Sequence, residues 1–239
     1  LCFHQFLLSK MKLNLTSLIF LFGFLSFSRA FNIRLTSNCN STIWPAWWGK
    51  YGTPHGGGTT LEPGQQIDLE FPKYWLRGSA IWARTGCDDK FNCESGSCGN
   101  QEQCHGTDGD AGPTTAAFVN GIYYVGMVSG FNIQIQIKPH NGTEDCKTAG
   151  ECNVDILAEC PDELRRDLNG HIVECLNPCF AFGEDEECCK GDYEGPENCK
   201  PTKHSQFFKD RCPITWSHPL DGKSNFLQCD NADFEIIFC

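Results

Sequence analysis

Apolar and polar residues alternate, wholly or in part, at four places along the chain. They are Phe31-Asn32-Ile33-Arg34-Leu35, Ile67-Asp68-Leu69-Glu70-Phe71, Phe131-Asn132-Ile133-Gln134-Ile135-Gln136-Ile137 and Phe234-Glu235-Ile236-Ile237-Phe238. Each reads as a half-buried strand. The third is the clearest, with Phe131, Ile133, Ile135 and Ile137 on one face. Gly- and Pro-rich stretches such as His55-Gly56-Gly57-Gly58 and Glu62-Pro63-Gly64 punctuate the pattern. Strands near both ends predict a mainly β fold, a sandwich that the C-terminal strand completes.

The middle of the chain lacks this alternation. Cys146 to Cys212 holds nine cysteines and little apolar material, so its order depends on cross-links. Pro161 to Leu168 predicts a short helix, with Pro and acids early and arginines late. Ser205 to Lys209 predicts another. A smaller cysteine-rich loop region runs from Cys87 to Cys104. The first thirty residues belong to none of this. Met11-Lys12 opens a charged region, Leu13 to Phe27 is mostly apolar, and Ala30 offers a small residue for cleavage. This reads as a secretory signal peptide, with Leu1 to Lys10 as upstream sequence. The apolar run is too short for a membrane span, so no membrane anchor is expected.

Removing residues 1–30 takes Lys10, Lys12 and Arg29 with it and moves the net charge from −11 to −14. Such a surface repels nucleic acid and anionic membranes. Glu144 to Glu197 carries sixteen of the thirty acids, which read as a solvated face. Sixteen of the seventeen cysteines follow residue 30; the odd one, Cys2, leaves with the leader. An even, dense set in a secreted chain is a disulfide framework rather than a metal site, and no Cys-x-x-Cys pair is present. No metal and no cofactor are expected. Asn40 and Asn141 head glycosylation sequons.

Several motifs resemble the thaumatin-like proteins, the pathogenesis-related plant defence group that includes thaumatin and osmotin. They include Ile81-Trp82-Ala83-Arg84-Thr85-Gly86-Cys87, Cys93-Glu94-Ser95-Gly96-Ser97-Cys98-Gly99, Gly130-Phe131-Asn132, Cys160-Pro161-Asp162-Glu163-Leu164 and Phe207-Phe208-Lys209-Asp210-Arg211-Cys212-Pro213. The resemblance covers residues 31–239. It implies a β-sandwich (31–86, 113–145 and 213–239), a small looped lobe (87–112) and a disulfide-rich, partly helical lobe (146–212). It also implies the pairing Cys39–Cys239, Cys87–Cys93, Cys98–Cys104, Cys146–Cys229, Cys152–Cys212, Cys160–Cys175, Cys179–Cys188 and Cys189–Cys199.

Many antifungal members carry an acidic cleft of one Arg, one Glu and three Asp between sandwich and large lobe. This chain departs from that pattern. Alignment on the motifs puts Ala80 at the Arg, Ala117 at the Glu, and Tyr124 and Ser129 at two of the Asp positions. Only Asp221 keeps an acid, and its own reading is a turn residue in Asp221-Gly222. Arg77 and Arg84 lie nearby in sequence but point elsewhere. Glycoside hydrolysis needs two facing carboxyl groups, so catalysis is not expected, and no His stands with a Ser or Cys in a triad pattern.

Aromatic residues offer another route to binding. Trp44 reads as core, while Trp47, Trp48 and Tyr51 sit in a Gly/Pro-rich stretch where rings can stack on sugars or anchor a partner. The resulting expectation is a secreted, apoplastic, monomeric defence or stress-response protein that binds cell-wall glucan or a secreted protein. The alternatives are an antifungal β-1,3-glucan-binding protein or endo-β-1,3-glucanase, and an inhibitor of a secreted hydrolase. Thiol titration of denatured, unreduced mature protein should find no stoichiometric free thiol; one free thiol per chain would break the framework reading.

Overall fold

The computed structural model describes residues 30–110, 112–143, 146–221 and 226–239. The signal-peptide expectation therefore lies, apart from Ala30, outside the described residues. Two sheets face each other across the main core. One has the order β3 (Gln66–Pro72), β1 (Ala30–Ser37), β13 (Asp233–Phe238), β8 (Ile135–His140). The other has the order β11 (Thr215–Trp216), β6 (Ile122–Gly126), β5 (Thr115–Val119), β4 (Ser79–Arg84), β2 (Trp44–Gly49), with β12 (Leu227–Gln228) also on β6. Alternation places Ile33 and Leu35 of β1, Phe234 and Ile236 of β13, Ile81 of β4 and Phe118 of β5 in one buried cluster.

The first and last described strands meet inside the first sheet. β1 and β13 run parallel, with Ile33 opposite Phe234 and Ser37 opposite Phe238. The Asn38 N–H extends the ladder to the Phe238 carbonyl, and Cys39–Cys239 closes it with the Cα atoms 5.0 Å apart. Because the first strand is central, neither terminal strand can leave without opening the sheet. The other seven bridges follow the pairing implied by the resemblance.

Two strand readings change. Phe131 to Ile137 is not one strand: it divides into β7 (Gly130–Phe131) and β8, so Phe131 enters the core of the second lobe while Ile135 and Ile137 enter the sandwich. Asn132 causes the break. Its buried side chain accepts from the N–H groups of Thr114 and Ile133 and donates to the Ala83 carbonyl and the Ser95 hydroxyl. Continuing the strand would leave those groups unpaired. Pro161 to Leu168 is not a helix. A single 3-10 turn spans Asp162–Leu164, and β9 (Arg165–Leu168) then forms a hairpin with β10 (His171–Leu176). The connecting pair Asn169-Gly170 has φ of 52° and 85°, the positive values a two-residue hairpin turn requires.

The second lobe is otherwise built on β7, β9 and β10 and on the helix Lys203–Arg211, longer than the predicted Ser205–Lys209 segment. Thr202 caps that helix reciprocally with Ser205, and Lys209 and Arg211 occupy its last turn. Buried charges tie the looped lobe down. Arg84 is fully buried and donates to the carbonyls of Trp44, Gln101 and Glu102. Burial pushes its pKa down to about 10, with Glu102 opposing, so it stays charged at physiological pH. Buried Glu174 receives Arg166 Nε, and the carboxyl packs on Gly112, where a Cβ would lie 2.4 Å from it.

Cys39→Ala should lower stability by about 2–5 kcal/mol or prevent secretion, because the closed loop spans almost the whole domain. An unchanged melting temperature would show that the end-to-end bridge is not what holds β1 to β13.

Candidate functional site

Three of the positions singled out in the sequence lie side by side. Ala80 pairs with Ala117, and Ala117 pairs with Tyr124. Trp48 of β2 pairs with Ala80 on the other side. Paired residues in a ladder point to the same face, so Trp48, Ala80, Ala117 and Tyr124 form one row across four strands, about 14 Å long at ordinary strand spacing. Their chain neighbours Trp47, Ile81, Ala116 and Tyr123 point the other way, into the sandwich core. The row therefore lies on the outer face of the six-stranded sheet.

The turn Asn120-Gly121 sets this register. Its φ values are 52° and 85°, and Val119 pairs directly with Ile122 across it. An aromatic cluster ends the row. The Trp216 ring lies 4.5 Å from the Tyr124 ring, and Phe226 stands 4.7 Å from Trp216 and 6.1 Å from Tyr124. All three rings are partly exposed. Burial also raises the Tyr124 pKa, so the phenol is neutral at physiological pH.

Ser129, after β6, and Asp221, after β11, lie where the sandwich meets the second lobe. The Ser129 carbonyl accepts from the Asn177 N–H, and the Asn177 side chain donates to the carbonyls of Met127 and Ser217. Ser217 in turn donates its N–H and hydroxyl to Asp221. Asp221 also receives Lys209 Nζ at 2.9 Å. The carboxylate that matches the family pattern is thus held by a cation and two donors. It closes the turn after β11, which fixes Trp216.

The remaining candidates separate. Trp47 is 1% exposed and donates its indole N–H to the Pro54 carbonyl; it is a core residue, not a surface ring. Strand alternation in β2 explains this, since Trp48 takes the outer face. Trp44, expected in the core, is half-buried at the start of β2. Tyr51 is exposed, but it stands with Tyr74 and Arg77 on another part of the surface. Arg84 anchors the looped lobe. Asn40 and Asn141 are both exposed. Cys189, Cys199 and His218 cluster closely enough to suggest metal ligands, but the two sulfurs are bonded to each other.

The model of the Thaumatin family matches residues 37–239. The chain belongs to the thaumatin family. It is 37% identical over 214 residues to pathogenesis-related thaumatin-like protein 3.5 of Cryptomeria japonica, covering 86% of this chain and 88% of that protein. It is 38% identical over 245 residues to an osmotin-like protein of Solanum lycopersicum, covering 94% and 96%. A Prunus avium protein named glucan endo-1,3-beta-glucosidase is 33% identical over 228 residues, covering 89% and 91%. Within this family frame, the row from Trp48 to Tyr124 is neutral. Sequence reasoning missed Trp216 and Phe226. The available signal was an aromatic residue beside Ser217-His218-Pro219 and a second one ten positions on; their meeting is a matter of tertiary structure.

The Lys209–Asp221 contact makes a direct prediction. Asp221→Ala should destabilise the protein by about 1–3 kcal/mol. Lys209→Met should cost a similar amount, and the double variant should cost less than the sum, because both remove one interaction. Strict additivity in chemical denaturation would show that the two groups do not depend on each other.

Proposed function

We propose that this thaumatin-family chain is a secreted, extracellular defence protein that binds neutral cell-wall β-1,3-glucan on the outer face of the six-stranded sheet and does not cleave it. The observation that carries the reading is the in-register row Trp48–Ala80–Ala117–Tyr124, extended by Trp216 and Phe226. Ala80 and the buried Ala117 keep the middle of the row low, and the aromatic rings at its ends offer faces to the C–H surfaces of a sugar. The relatives named as pathogenesis-related and osmotin-like proteins support the defence role. The sixteen cysteines and the leader-like first thirty residues support secretion.

The relative named as a glucanase favours a second reading, hydrolysis of the same polymer. That chemistry needs an acid and a second carboxylate roughly 5–10 Å apart. Ala80, Ala117, Tyr124 and Ser129 supply neither, and Asp221 is engaged by Lys209.

Incubation with laminarin and insoluble β-1,3-glucan separates the two. The expected result is retention on the insoluble polymer without release of reducing ends. Trp216→Ala should weaken retention about tenfold, in line with the loss of one stacking platform of about 1.4 kcal/mol. Reducing-sugar release that disappears in Asp221→Ala would establish hydrolysis instead.

A further inference from the structure

His218 is 4% exposed and plays no part in the face described above. The Leu220 N–H donates to its Nδ1 at 3.2 Å. Burial lowers its pKa, against the opposing influence of the Lys200 carbonyl and the charges of Asp221 and Glu187, so the ring is neutral near pH 7. A neutral imidazole carries one N–H. With Nδ1 accepting, that hydrogen is on Nε2. Nε2 lies 3.5 Å from Sγ of Cys189 and 3.4 Å from Sγ of Cys199, the two sulfurs of one bridge. A metal would need Nε2 bare, which this tautomer denies it.

Two other bridges have a donor at one sulfur; in one of them the Thr143 hydroxyl stands 3.4 Å from Sγ of the partly exposed Cys146 and reaches that sulfur alone. In the other, Arg84 Nη1 stands 3.7 Å from Sγ of Cys98, but Cys98 and Cys104 are both buried. Cys189 is partly exposed, while its partner Cys199 is 4% exposed. Cys189 also ends the short helix Asp185–Cys188 with φ of 54°, outside the ordinary range for a non-glycine residue. Among the described residues, the Cys189–Cys199 bridge alone has a partly exposed sulfur and one side-chain donor within about 3.5 Å of both its sulfurs.

We propose that Cys189–Cys199 is a thiol–disulfide exchange site for low-molecular-weight thiols of the glutathione class, with His218 as hydrogen-bond donor to the leaving sulfur. The incoming thiolate attacks Sγ of Cys189 and forms a mixed disulfide there. The original S–S bond breaks, and its electron pair leaves on Sγ of Cys199. That thiolate accepts the Nε2–H hydrogen bond and then takes a proton from water. The incoming thiol is oxidised and the protein bridge is reduced, so no further oxidant is needed. Better stabilisation of the leaving thiolate makes exchange faster. His218 lies two residues after Trp216, so opening this bridge would loosen the turn that holds an edge of the aromatic cluster.

The test uses the intact mature protein with reduced glutathione, followed by acid quench, alkylation and peptide mass mapping. Glutathione should appear on Cys189 and the alkyl label on Cys199. Glutathione on Cys199, or an untouched bridge, overturns the proposal. His218→Phe should slow this exchange at least about fivefold, and His218→Gln, which keeps an N–H donor, should recover part of the rate. Simple loosening of the fold would speed exchange, so an equal or faster rate in a folded His218→Phe variant also overturns it. Should that variant fail to fold, the position of glutathione on the unmodified chain decides the matter.

Discussion

The tight turn Asn120-Gly121 governs what this protein can present to a ligand. It pairs Val119 with Ile122 and thereby sets Ala117 opposite Tyr124. A slip of one residue would send Tyr124 inward and bring Tyr123 out. Tyr123 is committed to the core, where its hydroxyl meets Lys147 and its ring stands 5.3 Å from Phe234. The same register thus fills the sandwich and lays a neutral row over its outer face. Trp216 depends on it in turn, because β11 pairs with β6 at Val125 and Gly126.

Around that sheet, buried polar side chains hold the lobes in position. Asn132 joins β4, the looped lobe and the β7–β8 break through four hydrogen bonds. Arg84 fastens the looped lobe, and Asn177 and Asp221 fasten the second lobe to the strand ends beside Ser129 and Trp216. Each of these groups would be costly to bury alone. Together with the eight bridges they turn a chain of modest apolar content into a rigid support for one face. Asp221 illustrates how a position can keep its residue type while its partners direct it to structure: a carboxylate held by Lys209 and Ser217 braces a turn.

Much of this was legible in sequence. Alternation located β1, β3 and β13, and the motifs implied the fold and the disulfide pairing. Where period alone was used, it failed for identifiable reasons. Phe131 to Ile137 alternates perfectly, yet Asn132 finds more hydrogen-bond partners by breaking the strand. Pro161 to Leu168 carries helix-like charge order, but Asn169-Gly170 just beyond it makes a hairpin, and hairpin pairing outweighs so short a helix. The site was half visible. Ala80, Ala117 and Tyr124 could be found because they replace charges expected at those places. Trp216 and Phe226 could not, since only the pairing of β11 and the turn after it bring them to Tyr124. Trp47 and Trp48 are adjacent in sequence, and the strand's two-residue period sends one to the sandwich core and the other to the outer face, where it packs half-buried against the cluster of Ala46, Trp82, Cys98 and Cys104.

Calorimetric titration of a soluble β-1,3-gluco-oligosaccharide into the mature protein, at low and high salt and at several temperatures, tests the central claim that this face binds through neutral, aromatic contacts. Screening weakens exposed charge interactions, whereas burial of apolar surface gives a negative heat-capacity change. The account predicts an affinity that changes less than about twofold between 20 and 500 mM salt, with a negative heat-capacity change. A loss of affinity of about tenfold or more over that range would mean that charges, not the row from Trp48 to Tyr124, carry the binding.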